Sequence, residues 1–321
     1  MAPPAIETQA LSKTYGKDVR ALVDLDLRVE HGEVFGFLGP NGAGKSTTIR
    51  LLLDLIRPTS GRASVLGLDP RRRGVEARRS TGYLAGDLRL YDRMTAREQL
   101  DSLARLRGNV DAGLRDRLCE RFGVVLDRQI RQLSKGNRQK VGLVQAFMHR
   151  PDLVILDEPS SGLDPLLQAE LRTLMCETAS EGRTVFLSSH TLDEVQHVAD
   201  RVGIIRGGRL ADVDSVERLR ERALRHVTIV FSQPVDPAGL AAIDGVRVEH
   251  VDGAVLRLSA PEPAMDAVVK EAAHHQVVDL VSQPADLEEI FLELYEDPQN
   301  PQNGDSHSDS HSDSHRSGDG R

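Results

Sequence analysis

Nine residues constrain what this chain can become more than any other stretch. Gly39, Pro40, Asn41, Gly42, Ala43, Gly44, Lys45, Ser46 and Thr47 spell G-x-x-x-x-G-K-[ST], the phosphate-loop pattern. The run before it, 34–38, is short and apolar, as a buried strand is, and the run after it, 47–55, spaces its apolar residues at helical intervals. Strand, glycine loop and helix is the context in which such a loop works. Glycines lack Cβ atoms, so successive N–H groups can turn inward around phosphate oxygens. The helix adds the positive end of its dipole. The pattern predicts that Lys45 reaches the β- and γ-phosphates of a nucleotide and that Ser46 holds Mg²⁺.

A length of 321 residues allows one large or two ordinary domains. Aromatics are 3 % of the chain and tryptophan is absent, which argues against a base-stacking platform for nucleic acid. A net charge of −8 gives no bulk attraction to nucleic acid either, so none is expected as a partner. Cys119 and Cys176 stand far apart, without C-x-x-C spacing, in helix-like segments. The expectation is two buried thiols in a reducing compartment, without a disulfide or zinc site. The N-terminus lacks the basic head and apolar run of a signal peptide, and no window approaches about 18 uncharged apolar residues. Any membrane process is therefore expected to be served from the cytoplasm and through a partner.

Along the chain, 5–11 and 21–30 read as strands; the second alternates Val23, Leu25, Leu27 and Val29 with charged residues. Between them, 12–17 is expected as a loop carrying Tyr15. Short strands are expected at 62–66 and 80–84, with the arginine-rich 69–79 between them as a solvated surface, since Glu76 interrupts it and no aromatics interleave. From about 87 to 148 the pattern is helical. Thr95 and Glu98 form a capping box that opens a helix to Leu106, 111–122 is a second helix, and a third follows Gly136. Then come an apolar strand at 153–157, a helix at 166–179, a strand at 184–188, a helix at 192–199, and a hairpin of 202–206 with 209–212. After about Arg222 the character changes. Strands at 226–231, 246–251, 254–258 and 277–281, with helices at 264–274 and 286–295, suit a small α+β domain. His274 and His275 read as a solvated helix end. The polar stretch 297–321 repeats Asp-Ser-His-Ser and is expected to be disordered, its His307, His311 and His315 being a weak candidate for metal binding.

Hydrolysis of a bound nucleotide needs a second element that holds Mg²⁺ and activates water. Asp157 and Glu158 close the 153–157 strand, which is expected beside the phosphate-loop strand in a parallel sheet. Carboxylates after a buried apolar run are costly unless a cation or ligand uses them. Asp157 is the candidate for Mg²⁺ and Glu158 for the general base, against the alternative of an acid pair that caps a helix.

With those elements in place, the set resembles the ATP-binding subunit of an ABC transporter over about residues 5–220. Leu133, Ser134, Lys135, Gly136, Asn137, Arg138 and Gln139 resemble the family's signature motif. Ser161-Gly-Leu-Asp164 resembles the D-loop, His190 the switch histidine, and Tyr15 the aromatic that stacks on adenine. The resemblance implies an α/β fold: a P-loop ABC ATPase domain over 1–222 with a mixed sheet, an antiparallel β subdomain and a helical subdomain at about 87–150. The α+β domain at 223–296 and the tail at 297–321 follow it. It also implies ATP and Mg²⁺ as ligands, with Glu158 and His190 catalytic. Two ATPase subunits, identical or different, are implied to lie head to tail, so that Ser134 and Gly136 of one meet the γ-phosphate held by the other.

Two positions depart from the family pattern. Lys135 replaces the signature's first glycine, its side chain either facing solvent or adding charge near phosphate. Gly86 stands where the Q-loop has glutamine; it lacks the amide that contacts metal and water, and Asp87 is a candidate partial substitute as a metal ligand. The run 285–295 resembles the C-terminal extension of bacterial exporter ATPases of the multidrug and antibiotic-resistance type. That implies a peripheral subunit on the cytoplasmic face of the cell membrane, docked through about 87–106 on a separately encoded permease. One phosphate loop and no sustained heptads set the chain apart from ABC ATPases that clamp ribosomes or DNA. A nucleotide-dependent regulatory protein with poor turnover is the other alternative, kept open by Gly86.

Overall fold

The computed structural model describes residues 3–108, 110–222 and 224–283. β1 (Ile6–Tyr15) pairs antiparallel with β2 (Val19–Val29), from Ile6 opposite Val29 to Tyr15 opposite Val19. Tyr15 therefore ends a strand and does not sit in the expected loop. The reason is that Lys13 and Thr14 continue the ladder against Leu22 and Arg20, which leaves only 16–18 to turn. β3 (Val34–Leu38) is buried along its length and runs into the phosphate loop and α1 (Lys45–Leu52). β4 (Ser60–Val65) joins β1 antiparallel, completing a three-stranded sheet of order β2-β1-β4. The arginine-rich run forms α2 (Pro70–Arg79), capped by Asp69 and opened by Pro70, with only Pro70 and Ala77 buried. It is the solvated surface expected, but in helical form.

β5 (Thr81–Leu84) precedes the helical segment. There α3 (Ala96–Arg107) starts on the Thr95–Glu98 capping box, α4 (Ala112–Arg121) on Asp111, and α5 (Lys135–Phe147) on Ser134. β6 (Leu153–Asp157), α6 (Pro165–Ser180), β7 (Thr184–Ser189) and α7 (Leu192–Gln196) follow. The hairpin of β8 (Arg201–Arg206) and β9 (Arg209–Ser215) closes a six-stranded sheet of order β5-β6-β7-β3-β8-β9, parallel except for that hairpin. The expected adjacency of the Asp157 strand and the phosphate-loop strand is corrected here, because β7 lies between them and pairs with both. All six β7 residues are buried, so the strand suits only the interior of the sheet, where helices cover both faces. Two strand spacings, about 10 Å, then separate the ends of β3 and β6.

Strict alternation divides the core. Val34, Val154 and Leu156 face the layer holding α3–α6, while Phe35, Phe37 and Ile155 face α1 and the three-stranded sheet. Phe186 stacks on Phe35 with ring centroids 5.9 Å apart and meets Phe37 at 5.4 Å, which anchors that second face. Cys119 is buried as expected, but Cys176 is exposed. The inward stripe of α6 is Leu171, Leu174, Met175 and Thr178, and Cys176 points away from it. Both thiols are free.

Beyond the sheet, α8 (Val216–Arg222) leads to β10 (Leu224–Phe231), α9 (Ala238–Ala241), β11 (Arg247–Asp252), β12 (Val255–Pro261), α10 (Met265–Ala272) and β13 (Val277–Gln283). These strands form an antiparallel sheet of order β11-β12-β10-β13. Val227, Ile229, Leu256 and Leu258 pack there with Val268 of α10 and Leu240 of α9 in a core of their own. The expected helix at 286–295 and the tail at 297–321, with its histidines, lie outside the described residues. Among the described residues, no helix is long and apolar enough to cross a membrane.

One half-buried histidine couples this fold to pH. His149 Nε2 lies 3.3 Å from Thr81 O, and its Nδ1 is buried with no hydrogen-bond partner among the described residues. Burial and the nearby Arg107 guanidinium push it from an ordinary 6.5 down to about 4. The folded chain thus holds His149 neutral where the unfolded chain would protonate it. Stability from this group is complete above pH 6.5 and falls as pH drops toward 4, by about 3 kcal/mol in all. Urea unfolding at pH 7 and pH 4.5 is expected to show that loss, and His149→Gln is expected to remove most of the slope. An unchanged slope in the variant would assign the effect to other groups.

Candidate functional site

The site lies at the carboxyl ends of β3, β6 and β7, the edge at which parallel α/β sheets bind ligands. Gly44 turns the loop into α1 with φ of 113°, and a Cβ there would stand 2.7 Å from Ala21 O, so only glycine fits. No side chain caps α1 and no acid occupies its first turn. Its first N–H groups and the dipole behind them are left for an anion. Lys45 is 5 % exposed; its Nζ donates to Gly39 O and Pro40 O and lies 3.5 Å from Glu158 Oε1. Asn41 and Gly42 are exposed at the loop tip, while Ser46 and Thr47 are half-buried. Gly208 N donates to Ala43 O at 3.0 Å, which ties the β8–β9 turn to the loop.

Asp157 ends β6 almost fully buried, and its Oδ1 accepts from Ser188 Oγ on β7 at 2.5 Å. Gly86 lies against this carboxylate: a Cβ on it would stand 3.4 Å from Asp157 Cγ and Oδ2. The position read as the Q-loop is therefore beside the candidate metal ligand, without a side chain to reach it. Asp87, the candidate substitute, is the next residue along the chain. Its carboxylate is exposed and accepts from Arg89 Nη2 at 3.2 Å.

Glu158 leaves β6 in the left-handed region, with φ of 51°. Its N–H donates to Ser188 O at 3.1 Å, and its carboxylate is held at both oxygens. Oε2 lies 2.5 Å from His190 Nδ1, and Oε1 faces Lys45. With Glu158 ionised, His190 donates from Nδ1. A carboxylate fixed between an imidazole and an ammonium, still 26 % exposed on its side chain, can take a proton from water. The donor set also fits Mg²⁺: the Ser46 hydroxyl and the Asp157 carboxylate are hard oxygen ligands, suited to a cation shared with phosphate.

A second group of residues stands at the start of α5. Ser134 caps the helix, its Oγ accepting from Asn137 N and Asn137 Nδ2, each at 3.2 Å. Lys135 is exposed at the surface, one of the two placements expected of it. Its Nζ donates to Ser161 Oγ at 2.9 Å. Asp164 caps α6 by accepting from Leu167 N at 3.0 Å. Tyr15, 38 % exposed at the outer end of β1, belongs to neither group; Lys13 Nζ stands 5.1 Å from its ring centroid. So the structure joins Lys45, Glu158 and His190, and separately Ser134 with Asn137 and Lys135 with Ser161. Ser188 was missed by sequence reasoning, although a hydroxyl ending the apolar run Val185-Phe186-Leu187 is a signal for it.

The family described as ABC transporter matches residues 22–161. The bacitracin transport ATP-binding protein BcrA of Bacillus licheniformis is 36 % identical over 230 residues, which is 71 % of this chain and 75 % of that protein. The probable multidrug ABC transporter ATP-binding protein YbhF of Escherichia coli is 37 % identical over 210 residues, covering 64 % of this chain and 36 % of YbhF. A solved structure, that of an ATP-binding subunit of an ABC transporter, is 31 % identical with a TM-score of 0.63, over 68 % of this chain and 92 % of that one.

Proposed function

Because this chain belongs to the ABC transporter family of ATP-binding proteins, we propose that it is the ATP-hydrolysing subunit of an exporter whose pore is a separate permease. Relatives named for bacitracin and multidrug transport support that choice within the family. The observation that carries the hydrolytic reading is the convergence of Lys45, Glu158 and His190 at one edge of the sheet.

ATP lies with its phosphates in the loop formed by Gly39, Pro40, Asn41, Gly42, Ala43 and Gly44, with Thr47 in the first turn of α1 beside it, and Tyr15 stacks on adenine. Lys45 supplies the cation for the β- and γ-phosphates. Ser46 and Asp157 hold Mg²⁺, which when bound neutralises charge on the phosphates. Glu158 accepts the proton of the attacking water, and His190 fixes the carboxylate that does so. Ser134, Lys135, Gly136 and Asn137 serve the second copy, identical or not, in a head-to-tail ATP-held dimer to which Asp164 contributes its D-loop. Residues 1–222 form the ATPase domain, with its helical part at about 87–150, and 223–296 form an accessory domain. The subunit works on the cytoplasmic face of the membrane.

Affinity capture of the full chain from native membranes is expected to bring down a multi-span membrane protein with it. Recovery of the chain from membrane extracts without any such protein would overturn the exporter reading and leave the ATPase reading standing.

A further inference from the structure

The two groups of site residues are joined by contacts that hydrolysis itself does not use. Gln139, 5 % exposed on α5, donates from Nε2 to Pro159 O at 2.9 Å. One turn earlier, Gly136 approaches Gly162 so closely that a Cβ on it would stand 2.6 Å from Gly162 O. At the helix start, Lys135 reaches Ser161 Oγ, and its aliphatic stem lies over Gly162, with Cδ 3.4 Å and Cγ 3.5 Å from where a Cβ on that glycine would be. Lys135 and Gln139 are four residues apart, so they share a helix face. That face rests on the turn 159–162, which begins directly after Glu158 and returns to it through Ser161 N and Glu158 O at 3.4 Å.

We propose that Lys135 and Gln139 are positioning residues for hydrolysis. They strap the first turns of α5 to the 159–162 turn and so fix the backbone that aims Glu158. The inference rests on the reading of Glu158 as the base. The two ends of the strap differ in kind. The Gln139 bond is buried, and its loss leaves Pro159 O without its donor in a dry place. The Lys135 bond is a charge-assisted bond at the surface, weaker on its own but set on the exposed helix start that a second copy would meet. A displacement of that helix start therefore reaches Glu158 through three residues of backbone. This gives Lys135, the departure from the family's glycine, a task within its own protomer in addition to the one proposed toward the second copy.

Steady-state ATP hydrolysis by the full chain tests this. Lys135→Met and Ser161→Ala are each expected to lower kcat about threefold to fivefold with KM for ATP changed less than about twofold, because a positioning defect acts on turnover and not on nucleotide capture. The double variant is expected to be no slower than the slower single variant, as for two halves of one contact. Lys135→Arg is expected to restore most of kcat, and Gln139→Leu to lower it by about tenfold or more while the surface pair leaves Tm unchanged. Multiplying effects of Lys135→Met and Ser161→Ala would overturn the proposal. So would a raised KM for Lys135→Met with a silent Ser161→Ala, since that leaves Lys135 a task toward the nucleotide alone. A parental chain that hydrolyses no ATP would overturn the functional reading and the strap with it.

Discussion

Glu158→Gln lowers ATP turnover by about 10²- to 10⁴-fold, the range of a lost general base. The substitution keeps the shape of the side chain and leaves an amide oxygen to accept from His190 Nδ1, the partner of Glu158 Oε2. It removes the capacity to take a proton, and it removes the negative charge 3.5 Å from Lys45 Nζ. Lys45 is then free of its carboxylate partner, so ATP capture is not weakened. In the proposed cycle the product step fails and the ATP-held dimer accumulates. Light scattering of the variant with ATP is expected to report twice the protomer mass, reverting to one protomer with ADP. A variant that turns ATP over at the parental rate would move the base elsewhere. A variant that stays monomeric at saturating ATP would remove the dimer.

Lys45→Ala acts at the opposite step. The ammonium is buried, and its partners in the nucleotide-free chain are two loop carbonyls and Glu158. Hydrogen bonds to charged groups contribute about 1.5–3 kcal/mol, so ATP affinity is expected to fall by about 10- to 100-fold, with turnover lost. The loss has two sources: the phosphate loses its cation, and Gly39 O and Pro40 O lose the donor that curls the loop around it. Lys45→Arg is not expected to rescue, because a planar guanidinium does not fit where a compact ammonium is buried. Calorimetric titration with ATP checks this, and parental affinity in Lys45→Ala would contradict the assigned role. In contrast to Glu158→Gln, no ATP-dependent rise in mass is expected.

The sequence made the loops legible and left the strand order obscure. Gly44, Lys45 and Ser46 announce themselves because phosphate chemistry demands those residue types at fixed spacing. Thr95 and Asp111 were equally readable as helix starts, since capping is local, whereas the cap at Ser134 stands two residues before the start expected at Gly136. The insertion of β7 between β3 and β6 was not readable, because pairing partners far apart in the chain, such as Val34 and Val185, leave no periodic trace. Tyr15 was misplaced by similar logic: Lys13 and Thr14 look like loop residues until β2 supplies their ladder. The solvent exposure expected of Lys135 holds, but its bond was not readable, for a different reason. Its partner Ser161 lies 26 residues along the chain, in a turn whose path depends on how α5 meets β6. The short α8 and α9 carry too few residues for a periodic signal.

Glu158 has its backbone where asparagine or glycine rests more easily than a long acid does. Chemistry and durability therefore ask for different residues at one place. A library screened only for resistance to heat or protease is expected to enrich glycine there and to discard catalysis without any sign of damage in the melting curve. Breeding a hardier version of this ATPase therefore requires a turnover screen alongside the thermal one.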